Sequence, residues 1–200
     1  MVLVGAALAA LVLAAMPPRL RGRLPLDPVA RGEAFEQALA AALTQIRPAG
    51  EEWAIAIDPT DFNAWLATRL PKWIEHDPTL ASLAPACALR FAAMADELLV
   101  EQEESARGAI LFTVPLTPTI VDGRLQLIIG TARIGRLPVP WSASAITMLL
   151  EGALEQLASG PAQFRLSDGR RVEVREVACT SRQIRLLFTT LPAAVPSASP

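Results

Sequence analysis

Four short runs of alternating apolar residues, divided by tight turns, limit the folds open to this chain more than any other feature. The runs are ALRFAAMA from Ala88, ELLVEQEES from Glu97, GAILFTVPL from Gly108 and RLQLIIGTARI from Arg124. Short polar or glycine-containing pairs such as Asp122-Gly123 separate them, and such pairs favour hairpin turns. Because a parallel crossover needs a dozen or more residues, links of this length predict an antiparallel meander.

Further strands are predicted on either side of this meander. EWAIAI, with Trp53 to Ile57 alternating, predicts one short strand before it, and QFRLSDGRRVEVREVACTSRQIRLLFTT predicts a return to strands near the C-terminus. Within the meander, Pro115 and Pro118 cannot donate to a strand ladder. We therefore expect an edge or a bulge near these prolines.

Three stretches have the three-and-four spacing of amphipathic helices. The first runs from Val29 to Arg47 and the last from Ser142 to about Ala158. The middle one, DPTDFNAWLATRLP, has an aspartate at its N-cap position, and we expect Pro71 to close it. The predicted class is therefore α+β, with an antiparallel, curved β-meander packed against two or three amphipathic helices and preceded by an N-terminal hydrophobic segment.

The N-terminal segment is an uncharged apolar run from Val2 to Met16, followed by two prolines. It is shorter than the roughly 20 residues of a membrane span, but it matches the apolar core of a signal peptide. Three arginines follow it between residues 19 and 23, and by the positive-inside tendency they would keep the following chain in the cytoplasm. We interpret the run as a membrane anchor or uncleaved signal segment rather than a buried core helix, and expect the domain outside the cytoplasm, periplasmic or on the cell surface.

The expected organisation has four parts. Residues 1–18 form the membrane anchor or signal segment, and 19–28 form a linker rich in arginine and proline. Residues 29–191 form a single α+β domain. Residues 192–200, composed mainly of proline, alanine and serine, form a disordered tail.

Composition excludes several classes of function. A formal net charge of −2 and a pI near 5.5 argue against a nucleic-acid surface. With His76 as the single histidine and Cys87 and Cys179 as the two cysteines, a zinc site lacks ligands at the usual spacing. The two cysteines either pair, as an oxidising compartment allows, or remain separate thiols. No metal and no cofactor is expected.

No catalytic constellation is recognisable in the sequence. Asp58 and Asp61 could be read as paired carboxylates, but N-capping and charge at a helix start explain both. His76, in KWIEHDP, fits a solvated residue at a helix C-terminus. An enzyme would need these three side chains clustered around a cleft, so we expect none and assign no catalytic, cofactor-binding or metal-binding residue.

Three further features have ordinary structural interpretations. Gly130 and Gly135 have the spacing of a phosphate-binding loop, but Arg136-Leu137 stands where such a loop needs lysine and a hydroxyl residue. These glycines therefore predict a bulge and a strand end. The acidic run is read as a solvated strand face and the tryptophans mainly as core residues; the acidic run is Asp96, Glu97, Glu101, Glu103 and Glu104, and the tryptophans are Trp53, Trp65, Trp73 and Trp141.

The order of features resembles small bacterial membrane-anchored proteins of unknown function that look like pieces of the tubular lipid-binding (TULIP-like) superfamily. The resemblance covers most of residues 50–190 and depends on the TDFNAWLATRLP helix, the Asp-Gly turn and the G-x-L-P-x-P bend in VDGRLQLIIGTARIGRLPVP. It implies an extracytoplasmic domain with a helix held in a curved sheet and contact with lipid. It implies no catalytic residues.

The function expected from the sequence is that of a noncatalytic, membrane-anchored envelope domain whose candidate ligand is a lipid or another apolar molecule. Small residues in the sheet, such as Ala92, Ala93 and Ala95, either admit a closely packed helix or leave a groove for an acyl chain. The alternative is a scaffold or protein-interaction domain of an envelope assembly without a ligand pocket. In either case the membrane is the expected partner through the N-terminal segment, and nucleic acid is not.

Overall fold

The polypeptide path is known from a computed structural model that describes residues 22–104, 110–139, 161–166 and 168–192. Its helices are α1 (Pro28–Thr44), α2 (Pro59–Thr68), α3 (Leu70–His76) and a 3₁₀ helix (Pro78–Ala88). Its strands are β1 (Glu52–Ile57), β2 (Leu89–Met94), β3 (Glu97–Glu104), β4 (Ile110–Val121), β5 (Arg124–Ile129), β6 (Arg133–Ile134), β7 (Leu137–Pro138), β8 (Gln163–Arg165), β9 (Arg171–Cys179) and β10 (Ile184–Leu191).

Several predicted segments lie outside these residues. They are the N-terminal segment 1–18, the helix predicted from Ser142 and nearly all of the tail 192–200. Within the described ranges, no helix combines the length and apolar character that a bilayer crossing needs.

The strands form two antiparallel sheets. One has the order β1-β10-β9-β8, and the other has the order β2-β3-β4-β6-β7 with β5 paired to β4. Because β2, β3, β4 and β5 pair in chain order, the predicted antiparallel meander and the α+β class are confirmed. The sequence did not indicate that the last strands would join β1 in a separate sheet.

The turn between β4 and β5 has the geometry that its residues predict. Asp122 and Gly123 have φ values of 52° and 70°. Two successive residues with positive φ match the strand twist of a tight hairpin, and glycine adopts this conformation without a steric cost. The register Val121↔Arg124 places the pair directly at the turn.

Pro115 lies where β4 exchanges one partner strand for another. Its carbonyl accepts a hydrogen bond from the Gly130 N–H at 2.8 Å, between the β5 pairing that ends at Ile129 and the β6 pairing that begins at Arg133. A Cβ atom at Gly130 would lie 2.7 Å from the Pro115 Cγ, so only glycine fits there. The predicted bulge thus corresponds to a break in the ladder opposite a proline that has no N–H to donate.

Two predicted helix boundaries were wrong. Pro71 does not close the second helix, because α2 already ends at Thr68 and Pro71 lies in the first turn of α3. Proline is tolerated there since the first N–H groups of a helix have no intrahelical acceptor. The first helix ends at Thr44 rather than at Arg47, so Ile46 lies beyond the helix and is 84 % exposed.

Helices α1 and α2 pack closely. A Cβ atom at Gly32 would lie 2.6 Å from the Thr68 Oγ1, so glycine permits the close approach. On the same interface, Arg69 binds Glu36 through two hydrogen bonds of 2.8 and 3.1 Å. The hydrogen bond from Arg69 lowers the pKa of the Glu36 carboxyl below its ordinary value, and the charge of Arg69 lowers it further.

We expect Glu36→Gln to lower the unfolding temperature at neutral pH and to lose this effect in acid. A carboxyl whose pKa is lowered by folding stabilises the folded state above its unfolded pKa, and the contribution is lost as the pH falls through the lower, folded value. Thermal unfolding at neutral pH and at a pH below the ordinary carboxyl range measures the difference. Glu33→Gln is the matched control, because Glu33 contacts the same arginine at 3.4 Å but is more exposed. An equal effect of both variants, or one that persists in acid, would contradict this account of the ion pair.

Candidate functional site

The apolar faces of the two sheets meet beside the turn between β2 and β3. Ala93 of β2 packs in one buried cluster with Cys179 of β9 and Ile184 of β10. The Asp96 N–H at this turn also donates to the Cys179 carbonyl at 3.0 Å. The apolar side chains that lie on the same face of the meander sheet as Ala93, and on the same face of the other sheet as Cys179 and Ile184, therefore form one surface. We call this surface the joined apolar face.

On the meander sheet, the joined apolar face runs from buried positions to exposed ones. The register places Leu98, Leu116 and Ile129 side by side across β3, β4 and β5. Leu116 belongs to a buried cluster that includes Val114, and Leu98 packs against this cluster. Ile129 remains 37 % exposed, so the apolar surface continues onto β5 beyond the part that the described residues cover.

On the other sheet, the same face is built around an aromatic pair. Trp53 stacks on Phe188 with ring centroids 4.5 Å apart, and both pack in a buried cluster with Val172. Phe164 of β8 contacts Phe188 edge-on at 5.9 Å and is 38 % exposed. The Ala162 N–H donates to the Gly123 carbonyl at 2.7 Å, which ties the strand of Phe164 to the β4–β5 hairpin.

A separate cleft of about 360 Å³ lies at the start of α2, between that helix, β2 and the β9–β10 turn. Its lining includes the guanidinium-bearing residues Arg23 and Arg182, the carboxylate-bearing residue Asp58, and Ala92 with Ala93. Two of the small alanines line this space, and α2 and polar side chains border it as well. The cleft is therefore suited to a charged or polar group rather than to an acyl chain.

Asn63 holds α2 on the open edge of β2. It is completely buried, and its amide exchanges two hydrogen bonds with the backbone of Phe91, accepting from the N–H at 2.7 Å and donating to the carbonyl at 2.8 Å. The Asn63 side chain thus supplies Phe91 with the backbone hydrogen bonds that a neighbouring strand would otherwise provide. Asn63 is the only asparagine of the chain, and a lone polar residue inside the apolar stripe of a helix was the signal for this role.

Glu101 is not part of a solvated strand face, and this prediction was wrong. Only 1 % of the side chain is exposed, and its Oε2 accepts a hydrogen bond from the Gly22 N–H at 2.5 Å. A buried carboxylate needs such donors because the loss of hydration is costly. The chain just before α1 therefore packs on the meander sheet, although residues 19–28 were predicted to be a linker.

The three side chains that an enzyme would need together have separate partners. Asp58 caps α2 by accepting from the Thr60 N–H at 2.7 Å, as predicted, and Asp61 pairs with Arg31 at 2.6 Å. The His76 Nδ1 lies 3.3 Å from the Lys72 carbonyl, at the predicted end of a helix. Among the described residues, no side-chain hydrogen bond or ion pair joins any two of Asp58, Asp61 and His76; Asp61 and Asp58 share only a backbone bond of the first helical turn, at 3.1 Å.

The cysteines are free thiols. Cys179 is buried in the cluster where the two sheets meet, and Cys87 is half-buried in the 3₁₀ helix. Burial raises the pKa of both thiols, which disfavours the reactive thiolate. The sequence left open whether the two cysteines pair or remain separate thiols, and in the structure they are separate thiols.

The tryptophans divide between core and surface. Trp53 is buried and Trp65 is half-buried against Phe35 and Phe62, in agreement with the core interpretation. Trp73 is 44 % exposed and contacts Trp65 edge-on, so the interpretation was wrong for this residue. Trp141 lies outside the described residues.

In the ranges that the structure describes, no three His, Cys, Asp or Glu side chains are grouped so that they could hold a metal ion. No known protein family, curated protein or solved structure matches the chain. The candidate site consists of the joined apolar face, the polar cleft and the two buried polar anchors Asn63 and Glu101.

Proposed function

We propose that this protein is a noncatalytic envelope domain, anchored in a membrane by its N-terminal segment and located outside the cytoplasm, that binds the acyl part of a lipid or a similar apolar ligand. The observation that carries the proposal is the joined apolar face, which passes from one sheet to the other through Ala93, Cys179 and Ile184. The uncharged apolar run from Val2 to Met16 supports the anchor.

The proposed contacts for the acyl chain are two exposed apolar positions of this face, one on each sheet. Ile129 of β5 and Phe164 of β8 are each more than a third exposed, although both belong to faces that are buried nearer their centres. Covering apolar area gains roughly 25 cal/mol per Å². A hydrocarbon chain is suited to such positions because it needs no hydrogen-bonding partners.

A scaffold or protein-interaction domain is the second candidate. It is favoured by the polar lining of the cleft beside α2, where Arg23, Asp58 and Arg182 border the space, and by the exposed Trp73. Tryptophan and arginine are enriched where proteins bind one another. In this case the joined apolar face would be completed by the protein itself and would hold no lipid.

Native mass spectrometry of the full chain, released from nanodiscs, distinguishes the two functions. The lipid-binding proposal predicts one lipid that stays on the chain under conditions that strip the surrounding bilayer lipid. The acyl chain of such a lipid is retained because its many van der Waals contacts with the protein must all be broken before it leaves. A chain that emerges free of lipid under mild activation would contradict the proposal and favour the scaffold. A denatured sample of the same chain serves as the control for lipid that adheres without a folded site.

A further inference from the structure

The chain that leads from the N-terminal apolar run is fixed to the domain almost as soon as the run ends. Gly22 donates its N–H to the buried Glu101 at 2.5 Å, and a Cβ atom at Gly22 would lie 2.8 Å from the Arg90 Cβ and 2.9 Å from the Phe91 carbonyl oxygen. The next residue is held as well, since the Arg23 carbonyl accepts from the Asn63 amide at 3.4 Å.

This fixed point leaves a very short tether. From Pro18, the last residue of the proposed anchor, to Gly22 is four residues along the chain, which even a fully extended backbone spans in at most about 14 Å. A domain of this size cannot hang freely from such a tether. The surface around Gly22 must therefore face the membrane that holds the anchor.

The surface around Gly22 has the composition of a membrane-facing patch. Leu24 and Leu26, which directly follow the fixed point, are exposed, Leu26 completely. Arg23 and Arg182 line the adjoining cleft, and Arg19 and Arg21 lie in the tether. We call residues 23–26 together with Arg182 the anchor-side patch.

Two acidic groups near this patch have helix-capping roles. Asp58, which also lines the cleft, accepts from the Thr60 N–H at 2.7 Å, and Asp27 caps α1 by accepting from the Ala30 N–H at 3.2 Å. Basic side chains next to exposed leucines are suited to the headgroup region, where phosphates attract the cations and the acyl boundary accepts the apolar groups.

We propose that the anchor-side patch lies on the bilayer surface, with Leu24 and Leu26 at the headgroup level and Arg23 and Arg182 directed at lipid phosphates. The proposal rests on the membrane anchor of the proposed function and adds the orientation of the domain. The far end of α1 lies away from this patch, because the Arg170 guanidinium donates to the Gln45 carbonyl at 2.8 Å, at the opposite end of β9 from Arg182. Position 46 should therefore lie further from the lipid than position 26.

An environment-sensitive fluorophore at two matched positions tests this orientation. The full chain carries Cys87→Ala and Cys179→Ala together with either Leu26→Cys or Ile46→Cys, labelled with NBD and reconstituted in phosphatidylcholine vesicles that contain phosphatidylglycerol. Both positions are exposed apolar residues flanking α1, so neither label should disturb the core. We expect a blue-shifted emission that doxyl-labelled lipid quenches at position 26, and neither change at position 46.

The outcomes separate the orientation from the anchor. A chain that fails to float with the vesicles contradicts the anchor itself and with it the orientation. A chain that floats but shows the same weak quenching at positions 26 and 46 leaves the anchor intact and overturns the orientation. Loss of the blue shift at position 26 on adding Arg23→Glu and Arg182→Glu, with flotation retained, would support the role of the two arginines.

Discussion

Asn63→Ala is expected to lower the free energy of unfolding by about 3 kcal/mol. The substitution leaves the Phe91 N–H and carbonyl without the two amide hydrogen bonds of 2.7 and 2.8 Å, and unsatisfied buried polar groups cost roughly 1–3 kcal/mol each. Asn63 is completely buried, so water does not readily replace the amide. Chemical unfolding of the full chain in nanodiscs, followed by tryptophan fluorescence, measures the loss.

Two other variants make the interpretation specific. Gln37→Ala removes an amide from an exposed position of α1 and should change the stability by less than about 0.5 kcal/mol. Asn63→Asp keeps the shape and the acceptor for Phe91 but loses the donor and introduces a buried charge, so it should be at least as destabilising as alanine. If Asn63→Ala unfolds at the same denaturant concentration as Gln37→Ala, the amide does not hold α2 on β2.

Trp53→Ala is expected to cost about 3–5 kcal/mol, as large-to-small changes of buried aromatic residues do. Trp53 stacks on Phe188, its Nε1 donates to the Thr190 Oγ1 at 3.3 Å, and the Arg47 guanidinium lies 4.0 Å from its ring centroid. The same unfolding measurement applies, with near-ultraviolet circular dichroism as a second probe of aromatic packing.

Trp73→Ala is the matched control for Trp53→Ala. Trp73 is 44 % exposed, contacts Trp65 edge-on and hydrogen-bonds the Glu36 carboxylate, so its loss should cost about 1 kcal/mol. Trp53→Phe should be intermediate, because a phenyl ring retains stacking on Phe188 but not the bond to Thr190. Equal destabilisation by Trp53→Ala and Trp73→Ala would contradict the assignment of Trp53 to the core of the β1–β10 sheet.

Features set by neighbouring residues were predictable from the sequence. The Asp58 cap, the Asp122-Gly123 turn and the position of His76 at a helix end depend on backbone groups only a few residues away. Local hydrogen bonds and φ preferences determine them. The same local reasoning failed at Pro71, because a proline that ends one helix and a proline in the first turn of the next have nearly the same sequence context.

Features set by distant residues were not predictable. The burial of Glu101 depends on Gly22, which is 79 residues away, and the strand alternation that placed Glu101 on a polar face contains no information about what covers that face. Likewise, the joined apolar face depends on Ala93 meeting Cys179 and Ile184. Each run predicts its own strand, but the division into two sheets is a property of their pairing.

The orientation and the ligand proposal describe different surfaces of one domain. The anchor-side patch is fixed through Gly22 and Glu101, whereas the proposed acyl contact is at Ile129 and Phe164, on β5 and β8. A lipid held at the second surface would therefore be bound by the domain itself rather than by the anchor. This separation makes a direct test possible, since the anchor supplies an internal reference.

Photocrosslinking with a phospholipid that carries a diazirine in its acyl chain tests the central claim most directly. The full chain in nanodiscs should form adducts on the peptide containing β5, and adducts on residues 2–16 supply the reference. Ile129→Arg should lower the β5 adduct about tenfold, as a cost near 1.4 kcal/mol implies. Ile128→Arg, which changes the adjacent and also exposed isoleucine on the opposite face of the strand, should leave it unchanged. No β5 adduct above the level of other exposed strands, or equal losses in both variants, would contradict lipid binding at the joined apolar face.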